Sequence, residues 1–203
     1  MTRLIVSGTD TGIGKTVLAA AIAAATGSAY WKPIQSGTLD DSDTANVQRL
    51  GVETVHPEAY RLTQPLSPHR AAELDGVVID PEALTPPDGA IIVEGAGGVL
   101  VPVTRRLLFA DLFGRWRMPV VLAARTTLGT INHSLLSIEA LRARRVPIRG
   151  IVFVGEGNVD NETTIAKISG VRRLGRLPWI DPLDAESLAR AFATHFHPED
   201  FAA

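Results

Sequence analysis

Near-continuous apolar runs stand at Ala90-Ile91-Ile92-Val93, Pro119 to Ala124 and Ile148 to Val154. Runs without polar alternation suit strands covered on both faces. Leu4-Ile5-Val6 is a shorter run of the same kind. Ala29-Tyr30-Trp31 reads as a brief strand ending at Lys32-Pro33, and Leu174-Gly175-Arg176-Leu177 as a last one. Between these runs the period changes. Val17 to Ala25 is apolar nearly all round. It predicts a helix from about Lys15 to Ala25, buried against a sheet and stopped at Thr26-Gly27-Ser28. Ile131, Leu135, Ile138 and Leu141 recur at helical spacing, as do Ile165 and Ile168 after a candidate cap at Asp160. Asp184 is placed to cap a final helix carrying Leu188, Ala191 and Phe192. A polar loop, Ile34 to Asp41, precedes a helix from about Asp43 to Leu50, with Gly51 as its C-cap. Residues 52–87 are broken by Pro57, Pro65, Pro68, Pro81, Pro86 and Pro87. They predict loops and one or two short helices.

Strands alternating with helices predict an α/β fold: a doubly wound, mainly parallel sheet with helices on both faces and right-handed crossovers. In such a sheet, ligands bind at the carboxyl ends of the strands. The length of 203 residues suits one domain spanning 1–203. A domain of this size buries roughly 70% of its unfolded surface and needs no covalent staples. Cysteine is absent, which excludes disulfides and cysteine-ligated metal sites. That composition fits a reducing compartment. A first strand starting by residue 3 or 4 leads us to expect no targeting segment, and hence a cytoplasmic protein. No apolar stretch approaches the roughly 20 residues of a membrane span. Net charge is −2, from 20 basic and 22 acidic residues, and offers no broad surface for nucleic acid.

The stretch after the first strand changes the picture. Gly8-Thr9-Asp10-Thr11-Gly12-Ile13-Gly14-Lys15-Thr16 sits between strand and helix, the context of a phosphate-binding P-loop. Glycines let successive N–H groups turn toward an anion, and the following helix adds its free N–H groups and dipole. Lys15 can reach the terminal phosphates and the Thr16 hydroxyl can hold Mg²⁺. The loop is a variant: Thr9 stands where the common pattern has its first glycine.

Other polar groups fall at strand ends. Lys32 and Ser36 follow the second strand. Glu94 ends the Ala90–Val93 strand and leads Gly95-Ala96-Gly97-Gly98. A carboxylate leaving a buried strand is costly unless it is paired or metal-bound. Beside a P-loop, Glu94 is therefore a metal candidate. Asp40, Asp41 and Asp43 form an acidic cluster suited to capping the next helix at Asp41 or Ser42, and one of them is placed to face Mg²⁺. Thr126 to His133 follows a later strand and opens a helix. His69 and His133 are candidate acid–base groups, but satisfied structural histidines are commoner and neither is assigned a role.

Taken together, these residues resemble the dethiobiotin synthetase family of P-loop enzymes. The resemblance spans most of the chain. It rests on Gly8 to Thr11 with Gly14-Lys15-Thr16, Trp31-Lys32-Pro33-Ile34-Gln35-Ser36-Gly37 and Ser42-Asp43-Thr44-Ala45. It continues through Ser67-Pro68-His69, Val93 to Gly98, Leu128-Gly129-Thr130-Ile131-Asn132-His133 and Leu177-Pro178-Trp179. The family carries the same P-loop variant. The resemblance implies a reaction of 7,8-diaminopelargonic acid, CO₂ and MgATP through a carbamate and a carbamic-phosphoric anhydride. It implies catalytic roles for Lys15, Lys32 and Thr11, and Mg²⁺ ligation by Thr16, Asp43 and Glu94. Nucleotide contacts would come from Gly12, Ile13, Gly14, Lys15, Thr16, Val17, Asp43, Glu94, Gly95, Ala96, Gly97, Leu177, Pro178 and Trp179. Ser36, Thr11 and Asn132 would contact substrate, with Asn132 acting across a homodimer interface.

Two places depart from the family pattern. Gly12 stands where many members have Glu. Val154-Gly155 stands where many have Asn-Asp, whose Asn reads adenine. Phosphate and metal binding need no base contact, so looser nucleotide choice is expected. The rival readings are a switch ATPase, whose extra early lysine is replaced here by Asp10, and an inactive module of the same fold.

Overall fold

The computed structural model describes residues 1–37 and 42–202. Strand β1 (Arg3–Gly8) feeds the P-loop and helix α1 (Lys15–Thr26). The chain continues through β2 (Ala29–Trp31), β3 (Ile34–Ser36), α2 (Asp43–Arg49), β4 (Val55–His56), β5 (Tyr60–Leu62) and α3 (Pro68–Asp75). Next come β6 (Ile91–Gly98), the hairpin β7 (Pro102–Thr104) and β8 (Leu107–Leu108), and α4 (Phe109–Trp116). The last part is β9 (Val120–Arg125), α5 (Thr130–Ala143), β10 (Ile148–Val154), α6 (Val159–Ser169), β11 (Arg173–Leu177) and α7 (Ala185–His195). A seven-stranded sheet is ordered β11-β10-β9-β1-β6-β2-β4, with every pairing parallel.

The apolar runs lack alternation because each strand feeds two cores. Ile5, Ile91, Val93, Leu122, Ile151 and Phe153 pack on one face with α4 and α5. Their sequence neighbours Leu4, Val6, Ile92, Val121, Ala123 and Val152 pack on the other with α1 and α7. Successive side chains point to opposite faces, so a strand covered twice must be apolar throughout. Helix α1 follows the same logic: Leu18 to Ala23 are all buried.

Several local expectations need correction. The strand read as ending at Val93 runs on to Gly98. Pairing with β1 shifts register between Val6↔Glu94 and Gly8↔Gly98, so the glycines form an irregular strand end instead of a separate turn. The cap of α6 is Asn158, whose side chain accepts from the Asn161 N–H; Asp160 lies inside the first turn. The loop drawn from Ile34 contains β3, which pairs in parallel with β5. Residues 52–87 do hold the short helices α3 and Pro81–Leu84, but they also supply β4 and β5. Such brief strands carry too few residues to show a period. The expected caps Ser42 and Asp184 are in place. Asp40 and Asp41 lie outside the described residues.

Candidate active site

The P-loop is the ridge between three clefts at the carboxyl ends of the strands. Its turn depends on Gly14, which has φ 85° and would bring a Cβ within 3.0 Å of Val154 Cγ1. Any side chain there meets both a left-handed backbone and a wall. In the first turn of α1 the N–H groups lack intrahelical partners and face outward as an anion site.

The first cleft, about 340 Å³, is lined by Thr11 to Thr16, Lys32, Gln35, Ser36, Asp43, Pro65, Glu94, Ala96 and Gly97. Glu94 sits on β6 beside Val6, directly under the P-loop, and is buried. Its Oε1 accepts from the Thr16 hydroxyl at 2.9 Å and its Oε2 from the Tyr30 phenol at 2.7 Å. Lys32 Nζ lies 3.5 Å from Glu94 Oε1 and pairs with Asp43. Lys15 Nζ donates to the Asp10 carbonyl at 2.8 Å.

Electrostatics separates the two lysines. Burial alone would depress Lys32, but Glu94 and Asp43 outweigh it and hold the ammonium above its ordinary value. Burial lowers Lys15, with Glu94 opposing and Lys32 adding to the drop. Burial and the Glu94 charge push the Tyr30 phenol far up, which keeps it a donor.

Two cations and two carboxylates roughly balance here. A polyphosphate entering this cleft therefore needs another cation. The donor set fits Mg²⁺: two carboxylates and a hydroxyl are hard oxygen ligands. No group of three or more His, Cys, Asp or Glu suited to a metal occurs among the described residues. Mg²⁺ habitually takes only one or two carboxylates and completes its shell with water and phosphate.

A second cleft, about 410 Å³, is lined by Thr9 to Thr11, Gly98 to Pro102, His133, Leu136 and Ser137. It shares Thr11 with the first. The third, about 400 Å³, is lined by Gly12, Ile13, Arg125 to Thr127, Val154 to Glu156 and Trp179. Trp179 is exposed at its mouth and its ring stands 3.3–3.4 Å from where a Cβ on Gly155 would be. Val154 turns toward Gly14 and braces the P-loop.

The structure thus gathers Thr11, Gly12, Ile13, Gly14, Lys15, Thr16, Lys32, Ser36, Asp43, Glu94, Ala96 and Gly97 around one cleft. Trp179 lies at another wall of the same ridge. Val17, Gly95, Leu177, Pro178 and Asn132 line none of the three clefts. Leu177 is core, Gly95 packs against Phe113, and Asn132 is exposed on α5. Sequence reasoning missed Tyr30, Gln35, Pro65 and Arg125. Arg125 donates to the Thr11 carbonyl at 2.6 Å. Its place at a strand's carboxyl end was the available signal.

A family profile described as an AAA domain matches residues 2–187. The chain is 62% identical over 201 residues to the ATP-dependent dethiobiotin synthetase BioD of Sphingopyxis alaskensis, covering 99% of this chain and 100% of that one. It is 57% identical over 208 residues to the protein of that name from Rhizorhabdus wittichii, covering all of both chains. Among solved structures, a ParA family ATPase from Chlorobium tepidum superposes with a TM-score of 0.56 at 13% identity, covering 95% of this chain and 91% of that one. The cell division ATPase MinD of Pyrococcus furiosus gives 0.52 at 14%, covering 98% of each chain. These structures share the fold alone. Identity over the full length decides the closer kinship: the chain belongs to the ATP-dependent dethiobiotin synthetase family.

Proposed function

We propose that this chain, acting as one catalytic unit, uses MgATP to carboxylate 7,8-diaminopelargonic acid with CO₂ and close the ureido ring of dethiobiotin, a step of biotin biosynthesis. The observation that carries this reading is the meeting of Lys15, Thr16, Lys32, Asp43, Glu94 and Ser36 in one cleft. One amine of the substrate takes up CO₂ to give a carbamate. A carbamate oxygen attacks the γ-phosphorus of ATP and ADP leaves. The second amine then attacks the mixed anhydride carbon, releasing phosphate and closing the ring.

The chain's groups suit these steps. Lys15 and the P-loop N–H groups hold the phosphates. The Lys32 ammonium faces carbamate and transferring phosphoryl oxygens. Ser36 lines the cleft and its hydroxyl lacks a hydrogen-bond partner among the described residues, so rotation of its side chain would offer it to the carbamate. Thr16, Asp43 and Glu94 would hold Mg²⁺, which supplies charge neutralisation and orientation of the phosphates. Positioning and electrostatics make up most of phosphoryl-transfer catalysis, and no covalent nucleophile is needed.

The test is phosphate release from MgATP with and without the diamine and bicarbonate, with mass detection of the product. Release that depends on the diamine, with a product heavier by CO less two hydrogens, supports the cyclo-ligase. Diamine-independent turnover would instead indicate a switch ATPase, and retained ATP binding without turnover an inactive module.

Nucleotide choice is expected to be loose. Trp179 offers a stacking face, which every base satisfies, and Val154 is turned away to the P-loop. Competition between ATP and other nucleoside triphosphates should show appreciable turnover with the others; strict ATP selectivity would refute this.

A homodimer is also part of this reading. Leu128, Leu136 and Leu100 are exposed around the start of α5, next to the second cleft. Covering them with a second copy would bring Asn132 toward a substrate tail. Sedimentation at micromolar concentration should give a dimer, and a fully active monomer would exclude it. No helix among the described residues is long and apolar enough to cross a membrane.

A further inference from the structure

The third cleft has one wall whose backbone ought to be loose. Gly155, Glu156 and Gly157 follow β10, and two glycines within three residues favour conformational freedom. Yet this segment is tied down from below. The Arg176 guanidinium on β11 donates from Nη1 to the Gly155 carbonyl at 2.9 Å. A Cβ on Gly157 would meet the same guanidinium at 3.4–3.5 Å, so the loop lies against it. Arg176 is in turn held by Glu162 of α6, with Nε 3.9 Å from Oε1. Glu162 is buried, a position that requires compensation. Arg173 supplies most of it, donating from Nε to Oε2 at 2.7 Å, and the Asn158 N–H donates to Oε1 at 3.3 Å. Across the cleft, Asn161 Nδ2 donates to the Thr126 carbonyl at 3.0 Å, which ties α6 to the facing wall.

We propose that Arg176, anchored by Glu162, is a positioning residue that holds Gly155 to Gly157 as a preformed wall of the nucleotide-base pocket. The proposal rests on the nucleotide-binding reading above. Ordering this wall in advance removes an entropic cost from binding, and the benefit falls on the nucleoside and not on the phosphates. Arg173 shares Glu162 but has no hydrogen bond or ion pair to the loop among the described residues, so it separates positioning from mere joining of α6 to β11.

The experiment is calorimetric binding of a non-hydrolysable ATP analogue and of inorganic tripolyphosphate to the full chain and three variants. Arg176→Met is expected to weaken the analogue roughly tenfold, the scale of one lost hydrogen bond to a charged group, and to leave tripolyphosphate within about twofold. Arg176→Lys keeps a cation beside Glu162 but lacks the flat group, and should lose about threefold for the analogue alone. Arg173→Met should move neither affinity, whatever it does to the melting temperature. Should Arg176→Met fail to fold, the lysine variant carries the test. Equal weakening of both ligands, or of neither, would overturn the proposal. So would a wild type that binds the analogue no tighter than tripolyphosphate. A wild type that binds neither ligand would overturn the nucleotide reading itself, and this inference with it.

Discussion

Replacing Lys32 by alanine is expected to lower turnover by on the order of 10²–10³, the cost of removing one preorganised donor from a developing anion. Lys32 is buried, yet Glu94 and Asp43 hold its ammonium above the ordinary value, so it stays charged at neutral pH. The proposed reaction brings carbamate and triphosphate together, two anions that repel. A fixed cation between them lowers the energy of the phosphoryl transfer more than that of the bound reactants, so the effect falls on kcat. A lysine that only balanced Asp43 and Glu94 would behave differently. Its loss would then be made good by saturating Mg²⁺, and turnover would recover. The measurement is kcat of Lys32→Ala across a Mg²⁺ titration. Near-normal turnover at saturation would remove Lys32 from the chemistry.

Glu94 is expected to affect both stability and the Mg²⁺ dependence of the proposed reaction. Glu94→Ala leaves the buried Tyr30 hydroxyl without its acceptor and Lys32 with one carboxylate fewer. Breaking a buried ionic network from one side costs about 3–5 kcal/mol, because the remaining groups stay desolvated. Denaturant unfolding should show a loss of that size. Glu94→Gln keeps the shape and an oxygen acceptor, so it should fold with a smaller loss, about 1–2 kcal/mol. Its activity should still fall by at least about tenfold at low Mg²⁺, since a neutral amide is a poor ligand for a hard cation. Unchanged Mg²⁺ dependence in the glutamine variant would leave Glu94 with a purely structural role.

Much of the molecule was legible in its residues, and the reason is local. The strand at Ile148–Val154 announces itself because a strand covered on both faces must be apolar at every position. Helix α1 and its glycine-rich entry are readable because a phosphate loop requires small residues at fixed offsets from Gly14-Lys15-Thr16. The caps Ser42 and Asp184 follow from the few side chains that satisfy a helix start. Lys32 and Ser36 could be named because each lies at or just past the end of a strand, where a parallel sheet keeps its ligands, and Glu94 because a carboxylate in an apolar run calls for a charged partner, although β6 carries it in mid-strand. Order of strands, by contrast, has no local signature. β1 lies between β6 and β9, and that neighbourhood alone sets Glu94 under Thr16. β3 and β5 are three residues each, too short to show a period, yet their pairing places Ser36 in the cleft beside Pro65. The tie between Arg176 and Gly155 spans 21 positions and depends on how β10 and β11 pair. By itself the sequence determined the long strands, the longer helices and the phosphate loop between β1 and α1, since backbone preference and phosphate binding act over a few residues, while the short β3, β4 and β5 and helix α4 escaped it. Only the tertiary structure decided which charges meet, because contact between distant side chains is set by the register and order of strands that the chain encodes nowhere in one place.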